Sequence, residues 1–417
     1  MEKSIIYQVL PRLWKKGKFS DWKKSSFDYV KSLGASYIWF TGVLRHASGQ
    51  EWVKGKIGSP YAICDFYDVN PYLADDEQKR MQEFENLVVR THKAGLKVIL
   101  DFVPNHVAKC GANDIPTCGF CDYDWTDTVK IDYSRSETWS KLRDIVAFWA
   151  SKGVDGFRCD MIEMVPVDFL KWLVSDIRKD YPGTVFIGEA YNRQNYPVFV
   201  IEAGFDLIYD KSGYYDTLKS VMQAGMTVEA FTWNWQSLGS LQGNMLNFIE
   251  NHDEQRFASD AFAGRADRCF AALAVAALFN DASFMLYFGQ ECGERAEESD
   301  NARTSIFDPA VVSSLSQPDE ALLQRYRETL ALASSPVFRK GRNWDLGYCN
   351  RQSEGFNPVY HFAFLRIADE GAALVVCNFS NFNSRMKIYI PEEAGLSSGS
   401  FEVDVPAWDY KLLPIEK

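Results

Sequence analysis

Leu96-Lys97-Val98-Ile99-Leu100-Asp101-Phe102-Val103-Pro104-Asn105-His106 is a short apolar run that ends in a cluster of polar groups. The run has the length of a buried strand, and a polar ending on such a strand places chemistry at its C-terminal edge. The pattern returns three times: Gly156-Phe157-Arg158-Cys159-Asp160, Ile187-Gly188-Glu189-Ala190, and Phe248-Ile249-Glu250-Asn251-His252-Asp253. Working outward, strand-like runs fall at 5–10, 35–40, 96–102, 154–160, 185–189, 205–209, 246–250 and 283–288. Helical spacing separates them, as with Met81, Phe84, Leu87 and Val88, or Leu142, Ile145, Val146 and Trp149. Strands alternating with amphipathic helices specify a parallel sheet covered by helices, and eight such units predict an α/β fold, a (β/α)8 TIM barrel. The active site of that barrel lies at the C-terminal ends of the strands, where the four polar clusters stand.

Two segments break the rhythm. The stretch 107–133 is too long for an ordinary connection and reads as a short inserted loop after strand three. Beyond residue 335 the helical period stops, and runs at 359–367, 372–379, 386–390 and 401–405 predict a C-terminal antiparallel β domain, sandwich-like, over 336–417. The catalytic barrel then spans 1–335, and 417 residues suffice for more than one core.

Composition narrows the function. Net charge is −11 and no basic cluster exists, so there is no footprint for nucleic acid. No run approaches the ~18 apolar residues of a membrane helix, so no membrane partner is expected. The N-terminus runs straight into a strand with no signal-peptide pattern, which predicts a cytoplasmic protein. Nine cysteines lack the spacing of a disulfide scaffold. Cys118 and Cys121 form one Cys-x-x-Cys pair near Cys110; without a second pair they read as thiols rather than as a zinc site. Aromatics reach 15%, mostly the bulky filling of a barrel. Trp52, Trp125, Trp233 and Trp235 are candidate sugar platforms, each read first as packing.

Acids at successive strand ends suit glycoside hydrolysis, which needs two carboxyl groups flanking one bond. Arg158, two residues before Asp160 on the same strand face, can hold that carboxylate ionised. The four clusters, with Tyr7-Gln8-Val9 and Tyr61 followed by Asp65-Phe66-Tyr67, resemble the signature segments of the alpha-amylase family (glycoside hydrolase family 13), in order and over about residues 1–330. The segment from Thr41 to Tyr61 resembles a less-studied bacterial branch of it.

The resemblance implies a retaining glycosidase acting on α-glucans or maltooligosaccharides through a covalent glycosyl-enzyme. Asp160 is then the nucleophile, Glu189 the acid/base and Asp253 the stabiliser of the transition state. His106 and His252 would hydrogen-bond the sugar, with Tyr61 beneath it. Asp101, Asp65, Asp155 and Glu250 are read as scaffold. No cofactor is required, while calcium is admitted: Asn105 matches one usual ligand, and Asp114, Asp122, Asp124 and Asp127 offer further oxygens. Against calcium, the Lys-His pair that often follows the nucleophile is replaced by Glu163-Met164. The rival readings are a glucanotransferase or trehalose-forming transglycosidase, an inactive carbohydrate-binding barrel, and a metal-dependent hydrolase, the last lacking a His-x-His pair.

Overall fold

All eight apolar runs are strands in the computed structural model of the chain, which describes residues 1–416. They are β1 (Ile5–Val9), β2 (Tyr37–Phe40), β3 (Lys97–Phe102), β4 (Gly156–Cys159), β5 (Val185–Gly188), β6 (Leu207–Tyr209), β7 (Met245–Asn247) and β8 (Ser283–Tyr287). They close a parallel barrel in the order β1-β8-β7-β6-β5-β4-β3-β2. The strands are apolar on both faces because one face fills the barrel and the other meets helices. Five strands stop one to three residues before the C-terminal end of the predicted run, and past two of them, β4 and β5, the residue that leaves the ladder is a candidate site acid, Asp160 or Glu189.

The chain divides into two compact units. One comprises Met1, Ile6–Tyr209 and Thr304–Val312; the other comprises Glu2–Ile5, Asp210–Arg303 and the chain from Ser313 onward.

In the first unit the helices α1 (Lys24–Ser32), α2 (Arg80–Lys93), α3 (Ser136–Ser151) and α4 (Val167–Asp180) each bury one stripe. In α2 that stripe is Phe84, Leu87, Val88 and Thr91; in α3 it includes Leu142, Ile145, Val146 and Trp149, with the Trp149 indole donating to the Phe66 carbonyl at 2.7 Å. Two hairpins rise from the barrel: Leu44–His46 pairs with Ile63–Val69, and His106–Ala108 pairs with Thr128–Lys130. The second of these gives the inserted loop a regular base that its irregular composition does not reveal. Register does the rest. Asp101 lies opposite Arg158, and Cys159 lies opposite Gly188, so Asp160 and Glu189 follow adjacent strands at the same level.

In the second unit, past α5 (Asp216–Gln223), α6 (Glu229–Leu238) and α7 (Glu320–Ala333), comes the β region. β9 (Arg342–Asp345), β10 (His361–Ala368), β11 (Gly371–Asn378) and β14 (Tyr410–Ile415) form one antiparallel sheet; β12 (Ser384–Ile390) and β13 (Gly399–Val405) form another. Leu365, Leu374, Ile388 and Val403 share one core between the two sheets. Four of these strands match the sequence expectation. β9 and β14 escaped it because Arg-Asn-Trp-Asp and a proline-containing edge carry little alternation.

Candidate active site

Arg158 is the hub of the first unit's cluster. Its side chain has no exposed surface, an arrangement tolerated only when carboxylates and aromatic faces replace water. Nη1 donates to Asp160 Oδ1 at 2.5 Å and stands 3.6 Å from Asp101 Oδ1. Nη2 lies 2.7 Å from Glu189 Oε2, a charge contact outside hydrogen-bond geometry. The rings of Tyr61, Trp39 and Tyr209 surround the guanidinium at 5.2, 5.4 and 5.6 Å, the range of cation–π attraction. These carboxylates hold the guanidinium's proton even more firmly than usual, against the opposing effect of burial.

Glu189 is held from three sides. The Tyr191 hydroxyl donates to Oε1 at 2.6 Å, and the Met161 N–H donates to Oε2 at 2.9 Å. Met161 takes a left-handed backbone (φ 43°) directly after the proposed nucleophile, a strained turn that aims its N–H at the next strand's carboxylate. Beneath lies Gly188, where a Cβ would meet Ile162 Cδ1 at 2.4 Å and Ile208 Cδ1 at 2.8 Å; only glycine lets the strand end there. Glu163 ties the loop that follows, accepting from the Tyr191 and Asn192 N–H groups at 3.0 and 2.9 Å and from Asn195 Nδ2 at 3.2 Å.

His106 is buried and its pKa falls to about 4, because desolvation outweighs the nearby acids. Its Nδ1 lies 3.3 Å from Asn105 Nδ2, and its ring also hydrogen-bonds the Tyr61 backbone. It therefore fixes the Tyr61 shelf as a neutral imidazole. Trp125 stands 5.3 Å from the same ring. The residues read as scaffold bond accordingly: Asp65 accepts from Tyr67 N–H and Asn113 Nδ2, each at 2.9 Å, and Asp155 accepts from Val98 N–H at 2.8 Å.

In the second unit, the segment after β7 carries Glu250, His252 and Asp253. His252 is buried with Nε2 3.0 Å from Asp253 Oδ2, and Asp253 N–H donates to Asn251 Oδ1 at 2.8 Å. Glu250 turns away into a buried pair with Arg256 (2.7 Å) and accepts from Phe257 N–H at 2.5 Å; burial raises its pKa.

Sequence reading missed Tyr191, Glu163, Trp39 and Tyr209. Proximity to Glu189 marks Tyr191 only after the fact, and Glu163 stood out only as a departure from the family pattern.

The inserted loop fits calcium poorly. Asn105 Oδ1 and Asp127 Oδ2 are buried without a hydrogen-bond partner, which offers two oxygens. Calcium takes 6–8. Asp122 is already engaged by Asn105 Nδ2 at 3.0 Å and by the Lys130 ammonium at 3.0 and 3.2 Å. Among the described residues no three acidic, histidine or cysteine side chains converge as a metal would require.

The sequence matches the family model described as "Alpha amylase, catalytic domain" over residues 19–113 and 120–377. It is 26% identical to alpha-amylase MalA of Haloarcula japonica, covering 98% of this chain and 59% of that protein. It is 29% identical to the alpha-1,4-glucan:maltose-1-phosphate maltosyltransferase of Cereibacter sphaeroides over 46% of this chain and 36% of that one. The chain thus spans less than two thirds of the length of these curated relatives. The fold is similar to that of a Lactobacillus plantarum alpha-amylase (TM-score 0.78, 20% identity, 99% of both chains). It is also similar to the cyclic alpha-maltosyl-(1→6)-maltose hydrolase of Arthrobacter globiformis (TM-score 0.77, 15% identity, 99% of this chain and 98% of that one).

Proposed function

This chain belongs to the alpha-amylase family, and from that premise we propose that it is a retaining glycosidase cleaving α-glucosidic linkages of α-glucans or maltooligosaccharides. The observation that carries the proposal is the pair of carboxylates, Asp160 and Glu189, held on the two terminal nitrogens of one buried guanidinium. Two acids on one small cation are close neighbours. That supports the ~5–5.5 Å separation of a retaining site over the wider gap that admits water in an inverting one.

In the first step Asp160 attacks the anomeric carbon while the bond to the leaving oxygen breaks and Glu189 gives that oxygen its proton. Water then attacks the same carbon, Glu189 takes the water's proton, and the bond to Asp160 breaks. Arg158 keeps Asp160 ionised and nucleophilic. Tyr191 and Met161 hold Glu189 in line with the leaving group. Asp253, oriented by His252, takes the role of holding sugar hydroxyls more tightly in the transition state than in the ground state. Tyr61, positioned by His106, is the shelf beneath the ring.

Lys130 supplies the positive charge at Asp122, so no metal is required in this reading. Among the described residues all nine cysteines are free, which supports a reducing, cytoplasmic setting. No helix among the described residues is long and apolar enough to cross a membrane.

The relatives include a hydrolase and a maltosyltransferase by name. Which acceptor completes the second step is read from products. Incubation with maltooligosaccharides, followed by proton NMR of the anomer first released, should show the α-anomer and shorter sugars. Initial β-anomer would sink the retaining mechanism, and longer oligosaccharides would assign a transferase.

A further inference from the structure

The second unit holds a pocket of about 450 Å³ that none of the proposed catalytic residues lines. One wall is a stripe of α6, with Glu229, Thr232, Trp233 and Gln236 at helical spacing. The other wall is β9 and the short helix Gly347–Asn350 after it, contributing Asn343, Trp344 and Tyr348. Trp233 is 59% exposed and Tyr348 58%, two large aromatic faces left open at one concavity. Exposed aromatics grouped at a cavity mark binding more than packing.

The pocket's charges are already spent. Glu229 pairs with Arg351 at 2.7 Å, and the Asp345 carboxylate accepts from Thr232 Oγ1 at 2.9 Å and from Gly347 N–H at 2.8 Å. An anion or cation would find no uncommitted partner. Two donors remain unused: Asn343 Nδ2 and the Trp344 indole N–H are buried and have no acceptor in the protein. Leaving such donors unsatisfied is costly, so a small shift of the wall that opens them to an acceptor in the pocket is favoured. The ligand that fits is neutral, carries hydroxyl oxygens, and presents a flat C–H face to aromatic rings, which describes a pyranose.

We propose that this pocket, lined by none of the catalytic acids, is an accessory carbohydrate-binding site that holds a short segment of α-glucan. The choice of an α-glucan rests on the proposed function; the pyranose class rests on the pocket alone. Trp233, read first as packing, is then a binding platform. Trp235, whose indole bonds Gln242 and whose ring packs on Phe279, stays with packing.

The test uses the full chain with Trp233→Ala and Tyr348→Ala together, both at exposed positions where truncation leaves the fold intact by circular dichroism. Turnover of maltotriose should be unchanged, while KM for soluble starch should rise roughly tenfold, the loss expected from two stacking faces. Retardation of the protein in gels cast with soluble starch should fall in parallel. Titration of maltoheptaose into Asp160→Asn protein should show two classes of site, and only one when the two aromatic substitutions are added. Unchanged retardation and unchanged KM, or a single class of site from the outset, would overturn the proposal. Should the wild type cleave no maltooligosaccharide and yet lose starch retardation through these substitutions, the proposed activity fails and the accessory site stands.

Discussion

His46 lies in the hairpin that leads to Tyr61, and it makes acid sensitivity measurable. Its ring is buried, with Nδ1 3.1 Å from the Ala47 carbonyl and Nε2 3.0 Å from the Tyr72 hydroxyl. The carbonyl can only accept, so Nδ1 carries the proton and Nε2 accepts from Tyr72. Both partners are satisfied by the neutral ring. Burial accordingly lowers the pKa from 6.5 to about 4. A histidine with a depressed folded pKa costs nothing above 6.5, where neither state is charged. As pH falls from 6.5 toward 4, only the unfolded chain takes the proton, and folding loses about 3 kcal/mol in all. By about pH 4.5 most of this, roughly 2.5 kcal/mol, is gone. His46→Gln keeps a donor for Ala47 and an acceptor for Tyr72 but cannot titrate. Urea unfolding of both proteins at about pH 7 and about pH 4.5 should show the variant losing roughly 2.5 kcal/mol less over that interval. His106 and His361, each also near 4, remain in both proteins and leave a shared decline. Equal losses in the two proteins would refute the assignment of a neutral, buried His46.

Four further outcomes are expected. Asp160→Asn and Glu189→Gln should each lower kcat on maltooligosaccharides by a thousandfold or so with the fold retained by circular dichroism, since the groups are isosteric; near-normal turnover in either would reverse the roles. Arg158→Met strands buried carboxylates and should cost about 3–5 kcal/mol in urea unfolding, whereas a cost under about 1 kcal/mol would mean that water already screens the pair. Gly188→Ala should move Glu189 and reduce kcat by about a hundredfold, and adding Ile162→Val, which removes the atom 2.4 Å from the new methyl, should restore part of it; no rescue would place the damage elsewhere. Exhaustive chelation should leave both activity and melting temperature unchanged because Lys130 already faces Asp122; a drop restored by added calcium would show that the loop holds the ion after all.

The barrel and the acids were legible because their signals are local. A buried parallel strand must be apolar throughout, and the residues that leave it at the mouth must be polar, so a few neighbours suffice to mark Asp101, Asp160 and Glu189. The C-terminal sheets showed the same way wherever alternation was clean, and stayed hidden at Arg342–Asp345, where a mainly polar strand is ordered by its partner His361–Ala368. What joins distant segments left no local trace. The Arg158 fork depends on strand register, and the grip of Glu163 on residues 191–195 depends on two loops meeting. Lys130 beside Asp122 is a pairing that the loop's acids alone do not suggest. The pocket that brings Trp233 to Asn343 and Trp344 spans some hundred residues of sequence. Period and composition determine which elements form and where their polar ends lie; which charge meets which, and which donors are left unsatisfied, is decided only when packing removes water and makes each pairing count.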